Sequence, residues 1–121
     1  MYAGGKGLFM RTIPVSEITQ AVKEMCIEAN YSLSPDMDQA LQTARQEETS
    51  SLGRQILNQL RDNLKIAKEK DIPICQDTGM AVIFMEIGQE VHFEGGSLEE
   101  AIHEGVRQGY TQGYLRKSVV N

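Results

Sequence analysis

The character of this sequence changes at Pro73. Before it, apolar residues recur every three or four positions, the spacing of one helix face. Beyond it, Met80-Ala-Val-Ile-Phe-Met85 is continuously apolar, and Val91 and Phe93 then alternate with His92 and Glu94. An unbroken apolar run of this length predicts a strand buried on both faces, and the alternation predicts a second strand. Gly88 lies between them, so the two are expected to pair antiparallel across a turn. The layout expected is α+β: N-terminal helices, a short antiparallel strand pair and a C-terminal helix, together forming part of a larger domain.

Three helices are predicted before Pro73. The first spans about Ser16 to Asn30, with Ser16 as its cap and Ile18, Ala21, Val22, Met25 and Ala29 as its apolar stripe. Cys26 sits beside that stripe and reads as a small buried hydrophobe. Ser34-Pro35-Asp36 announces the second helix with a cap, a proline at the first helical position and an acid in the first turn. Gln46 to Ser51 reads as a connection. The third helix, about Leu52 to Lys70, places Leu52, Ile56, Leu60, Asn63, Leu64 and Ala67 on one stripe. Lys65, Lys68 and Lys70 crowd its C-terminal end, where the helix dipole favours cations.

A fourth helix is predicted from the capping box Ser97-Leu-Glu-Glu100 to about Tyr114. Gly105, Gly109 and Gly113 recur every four residues along it. Each costs about 1 kcal/mol of helix propensity against alanine. Three in register imply a backbone that a neighbour approaches closely, either a packed helix or a ligand.

Charge and composition narrow the function classes. The net charge of −5 over 121 residues predicts no attraction to nucleic acid or an anionic membrane. No apolar run approaches the ~18 residues of a membrane span, and there is no signal-peptide core. A cytoplasmic location is the expectation. Residues 1–9 are glycine-rich and aperiodic and read as an appended leader, with native-like sequence from Met10. The last residues, Leu115 to Asn121, form a rising apolar stretch that reads as a cut within a longer polypeptide.

Cys26 and Cys75 are the two cysteines, too far apart in sequence for a C-x-x-C pair. The segment Ile72-Pro-Ile-Cys75-Gln76-Asp77-Thr78-Gly79 places a thiol, an amide, a carboxylate and a hydroxyl consecutively between a helix exit and an apolar strand. Cys75 admits three readings: a structural thiol, a nucleophile that needs a base, or a metal ligand. One cysteine alone holds neither zinc nor an iron–sulfur cluster, each of which takes about four ligands. Asp77 by itself could equally cap its own turn, and Arg116 could be a solvated surface arginine. His92 and His103 read as surface residues.

Pro73-Ile-Cys-Gln-Asp-Thr-Gly79 followed by an apolar run resembles the first cluster-binding segment of the class I fumarate hydratases, a family that includes the L(+)-tartrate dehydratases. Tyr114-Leu-Arg-Lys-Ser-Val-Val120 resembles a second segment of the same family, about 40 residues on and in the expected order. The resemblance covers Met10 to Asn121, which would be the N-terminal portion of the alpha region. It implies a [4Fe–4S] cluster bound through three cysteines with one iron open to act as a Lewis acid. Cys75 matches the first of those ligands, and the other two lie beyond Asn121 in the family. Gln76 and Asp77 match residues that contact substrate, the aspartate being implicated in proton handling. Arg116 matches an arginine that clamps a substrate carboxylate. The implied activity is the interconversion of fumarate and L-malate, or else dehydration of L(+)-tartrate. Residues 10–121 would be inactive without the rest of the alpha polypeptide and a beta subunit or domain.

A reading from another class is a helical interaction module. In it, the glycine face of the last helix docks a partner, a homodimer being one form, and Cys75 is inert.

Overall fold

The computed structural model describes residues 10–75 and 80–118. Six elements follow in order: strand β1 (Arg11–Pro14), helices α1 (Val15–Tyr31), α2 (Pro35–Glu47) and α3 (Ser51–Lys70), strand β2 (Val91–Glu94) and helix α4 (Leu98–Gln112). The α+β class expected from the sequence is the one observed.

The strand pairing differs from the expectation. β2 pairs with β1, and the pair is parallel, with Ile13 opposite Phe93. Residues 80–87 lie outside any strand, and the side chains of Met80, Val82 and Phe84 are exposed, Phe84 at 94%. A strand needs a neighbour to satisfy its ladder, and no described residue pairs with this run. The alternation of β2 is as expected, with Val91 and Phe93 half-buried and His92 and Glu94 exposed. β1 escaped the sequence reading because four residues ending in proline carry almost no periodic signal, and its partner lies about 80 positions away.

Each strand leads into a helix, and the two helices pack on each other along α4's glycines. A Cβ built on Gly105 would lie 2.7 Å from both the Thr19 carbonyl oxygen and the Val22 Cβ. One on Gly109 would lie 2.8 Å from the Cys26 Cβ, and one on Gly113 would lie 3.0 Å from Ile27. The glycine spacing thus serves helix packing, and the glycine face is filled by α1 of the same chain. The partner residues advance with the glycines, from position 19 through 26 to 27, so the helices run parallel. Thr19 Oγ1 donates to the Ala101 carbonyl at 2.9 Å near their N-terminal ends, and Tyr31 Oη donates to the Gly113 carbonyl at 3.0 Å near their C-terminal ends.

The buried face of α1 is therefore rotated from the expected stripe. Val22 is 1% exposed, whereas Ala21, Met25 and Ala29 face solvent. Where a partner presents bare backbone, the residues that fit it are selected by contact more than by hydropathy. Burying Val22 contributes about 1.5–3 kcal/mol.

Ser34 stands at the cap position of α2 before Pro35, although its side chain accepts no bond from the first turn, and Ser97 Oγ accepts the Glu100 N–H as expected. Ser50, read from the sequence as part of a connection, caps α3 by accepting the Gly53 N–H. Ser16 lies inside α1, whose cap is Pro14, and no side chain bonds there. α2 and α3 pack as a second pair, linked by a hydrogen bond from Arg45 Nε to Asn58 Oδ1. Ala67 on α3 is buried, while Leu52, Ile56 and Leu60 on the predicted stripe remain about half exposed or more.

Candidate functional site

Helices α3 and α4 end alike. A left-handed residue follows each helix: Asp71, at φ 51°, comes directly after Lys70, and Tyr114, at φ 53°, comes two residues after Gln112. The following N–H reaches back five residues in both cases, Ile72 to the Ala67 carbonyl at 3.0 Å and Leu115 to the Tyr110 carbonyl at 3.1 Å. This closure satisfies orphan carbonyls and turns the chain sharply. It stops α4 at Gln112, short of the Tyr114 expected. Directly after these two exits come Cys75 and Arg116.

The last turn of α1 holds both segments. The Ile74 N–H donates to the Asn30 carbonyl at 2.9 Å, next to Cys75. The neighbouring Tyr31 donates its hydroxyl to the Gly113 carbonyl, three residues before Arg116. Asn30 is itself braced by a 2.7 Å bond from its Nδ2 to the Cys26 carbonyl. Because α1 and α4 run parallel, their C-terminal ends lie together. The two motif segments thus leave one end of the helix pair, although 40 residues separate them in sequence. Leu115 is buried, which anchors the backbone beside the exposed Arg116.

Cys75 is exposed, and its N–H donates to Asn63 Oδ1 of α3 at 2.9 Å. Cys26 contrasts with it: half-buried against Gly109, its thiol is pushed up from the ordinary range by burial. The structural reading of Cys26 therefore stands, and the accessible thiol is Cys75. Gln76 and Asp77 lie outside the described residues. His92 and His103 are exposed, as expected.

Among the described residues, no three His, Cys, Asp or Glu side chains gather into a group that could hold a metal ion. An exposed soft thiol on a pinned backbone nevertheless suits one corner of an iron–sulfur cluster, provided the other ligands come from elsewhere. No helix among the described residues is long and apolar enough to cross a membrane.

The sequence reading missed Asn30, Tyr31 and Asn63. Asn63 did leave a signal, as an amide on an otherwise apolar stripe. The other two left none, because a carbonyl acceptor and an isolated tyrosine look like any helix end.

Comparison with known proteins bears on both segments together. The sequence model of the family described as "Fumarate hydratase (Fumerase)" matches residues 19–121, from α1 through Cys75 and Arg116.

The chain belongs to the fumarate hydratase family.

It is also similar to the "Putative L(+)-tartrate dehydratase subunit alpha" of Methanocaldococcus jannaschii, at 35% identity over 106 residues, covering 87% of this chain and 37% of that one. It is 28% identical over 93 residues to the L(+)-tartrate dehydratase subunit alpha of Escherichia coli K12, covering 74% of this chain and 31% of that one. The chain thus spans about a third of the length of the curated relatives it matches.

Proposed function

We propose that this chain is part of a hydro-lyase that interconverts fumarate and L-malate and holds a [4Fe–4S] cluster through Cys75. The observation that carries this reading is the family match spanning both the Cys75 and the Arg116 segments, which the last turn of α1 ties to one end of the fold. Cys75 supplies one thiolate, and the remaining ligands belong to residues outside this chain. When bound, the cluster supplies a Lewis acid toward the substrate's hydroxyl and carboxylate.

This chain's own residues bind and position. The planar guanidinium of Arg116 binds a substrate carboxylate with two parallel hydrogen bonds, giving an acidic protein a local site for a dianion. Gln76 contacts the substrate beside the cluster. Asp77 takes or delivers the proton at the carbon next to the carboxylate, while hydroxide joins or leaves the adjacent carbon. Catalysis on this reading needs the rest of the alpha polypeptide and a beta subunit, so residues 10–121 alone are inactive.

The names of both relatives favour a second substrate, L(+)-tartrate, which differs from malate by one hydroxyl. The helical interaction module loses its surface, because α1 already covers the glycine face and Cys75 is exposed.

The test is anaerobic. The complete alpha polypeptide is coexpressed with its beta partner, reconstituted with iron and sulfide, and assayed on fumarate, L-malate and L(+)-tartrate beside the Cys75→Ser variant. Fumarate hydration that disappears together with the cluster in the variant is expected. Turnover of tartrate well above that of malate reverses the choice of substrate. A well-folded complex with no cluster and no turnover of any dicarboxylate overturns the reading.

A further inference from the structure

Two consecutive backbone amides at the candidate site are bonded to two different helices. The Ile74 N–H goes to the Asn30 carbonyl of α1, and the Cys75 N–H goes to the side-chain oxygen of Asn63 on α3. Neither bond belongs to a helix or a strand ladder, since residues 72–75 lie outside both. The two bonds fix the peptide planes on both sides of the Ile74 Cα, and with them the position of the Cys75 Cα, so that only rotations about the N–Cα and Cα–Cβ bonds of Cys75 aim the thiol.

The first anchor is a backbone carbonyl, available whatever residue stands at position 30. The second depends on one side chain. Asn63 occupies an otherwise apolar stripe on α3, between Leu60 and Leu64, where asparagine lowers helix propensity and gains nothing from hydropathy. Its bond to Cys75 gives that placement a purpose. The acceptor is also neutral, which suits a backbone next to a thiolate, because a carboxylate there would add like charge.

We propose that Asn63 is the positioning residue for the Cys75 thiolate, fixing the backbone from which that thiolate reaches its cluster. This rests on the reading of Cys75 as a cluster ligand. Partners that orient a metal ligand through hydrogen bonds typically alter metal retention by about 10- to 100-fold when removed.

The experiment uses the complete enzyme, alpha polypeptide with its beta partner, in four forms: wild type, Asn63→Ala, Asn63→Asp and Cys75→Ser. Alanine raises helix propensity at position 63, so α3 is retained while the acceptor is lost. Aspartate keeps an acceptor of the same shape. Three quantities are read: amide hydrogen exchange at Cys75 in the cluster-free protein, the rate of cluster loss to a chelator after reconstitution, and the electron paramagnetic resonance spectrum of the reduced cluster. Asn63→Ala is expected to speed exchange at Cys75 and to shed its cluster about tenfold faster with an altered spectrum, while its thermal midpoint stays near wild type. Asn63→Asp is expected to restore slow exchange, with retention between that of Asn63→Ala and wild type because its carboxylate adds like charge beside the thiolate. Should Cys75→Ser lose its cluster while Asn63→Ala keeps wild-type exchange, retention and spectrum, the role of Asn63 is overturned and that of Cys75 stands. Should Cys75→Ser retain a wild-type cluster, the ligand assignment fails and the role of Asn63 falls with it.

Discussion

The seam between α1 and α4 and the stretch from Ile72 to Ile87 are both rich in apolar or small residues, yet the chain treats them in opposite ways. In the seam, contact distances are so short that no Cβ fits at Gly105 or Gly109 without something moving. In the stretch, Met80, Val82 and Phe84 stand in the open and Cys75 is exposed. The seam is where free energy is stored, and the stretch leaves the candidate thiol, Cys75, accessible. Hydropathy alone reverses the two, because the glycines score as nearly neutral and the exposed run as core.

Substitutions at the extremes should separate the regions most clearly. Gly105→Ala gains about 1 kcal/mol of helix propensity but forces a methyl within 2.7 Å of the Thr19 carbonyl oxygen, which is backbone and yields little. Overpacking of this kind costs about 1–3 kcal/mol. A net loss of stability is therefore expected in urea or thermal unfolding, and a stabilised variant would break the contrast. Ser97→Ala tests the entry to the same seam. Losing the bond from the Glu100 N–H should lower stability by about 1 kcal/mol.

On the other side of the comparison, Phe84→Ser is expected to leave the unfolding midpoint within about 0.5 kcal/mol of the parent, as for other surface changes. A loss comparable with that of Gly105→Ala would show that Phe84 is packed after all.

The smallest expected effect concerns acid. Hydrogen bonds from Arg107, and secondarily from Gln108, hold the Glu104 carboxyl at about 2, below its ordinary 4.5. A depressed carboxylate stabilises the fold above its unfolded value, and that contribution is lost as pH falls from 4.5 through about 2. Glu104→Gln should flatten this part of the stability profile slightly, and added salt should shrink the difference, since the pair faces solvent. A difference unmoved by salt would contradict an exposed pair.

Much of the helical frame was readable from spacing and caps. Ser34-Pro35 and the Ser97 box put two helix starts where they are found, and the connection read over Gln46 to Ser51 put the third within a residue of its place, because such signals are local, written within a few residues. The strand pairing was not readable, since β1 and β2 meet only through a contact 80 residues long in sequence. For the same reason the face of α1 was read only in part: Val22 and Cys26 were placed correctly, but Ala21, Met25 and Ala29 face solvent because glycines on α4 select the contact face. At the candidate site, Cys75 and Arg116 were visible as motif residues. What sequence alone withheld was their common support, the Asn30 carbonyl and the Tyr31 hydroxyl in one turn of α1. Gln76 and Asp77 lie outside the described residues.

The parallel strand pair also sets a minimum length for the chain that follows Cys75. Cys75 is tethered near the C-terminal end of α1, whereas β2 lies beside β1 at the opposite end. The path between them must traverse a 17-residue helix, about 25 Å at 1.5 Å per residue. The sixteen steps from Cys75 to Val91 could reach about 50 Å when extended, at about 3.3 Å each. Roughly half of that path is slack. Shortened versions of the loop should therefore still close the fold without moving the helices on either side of it.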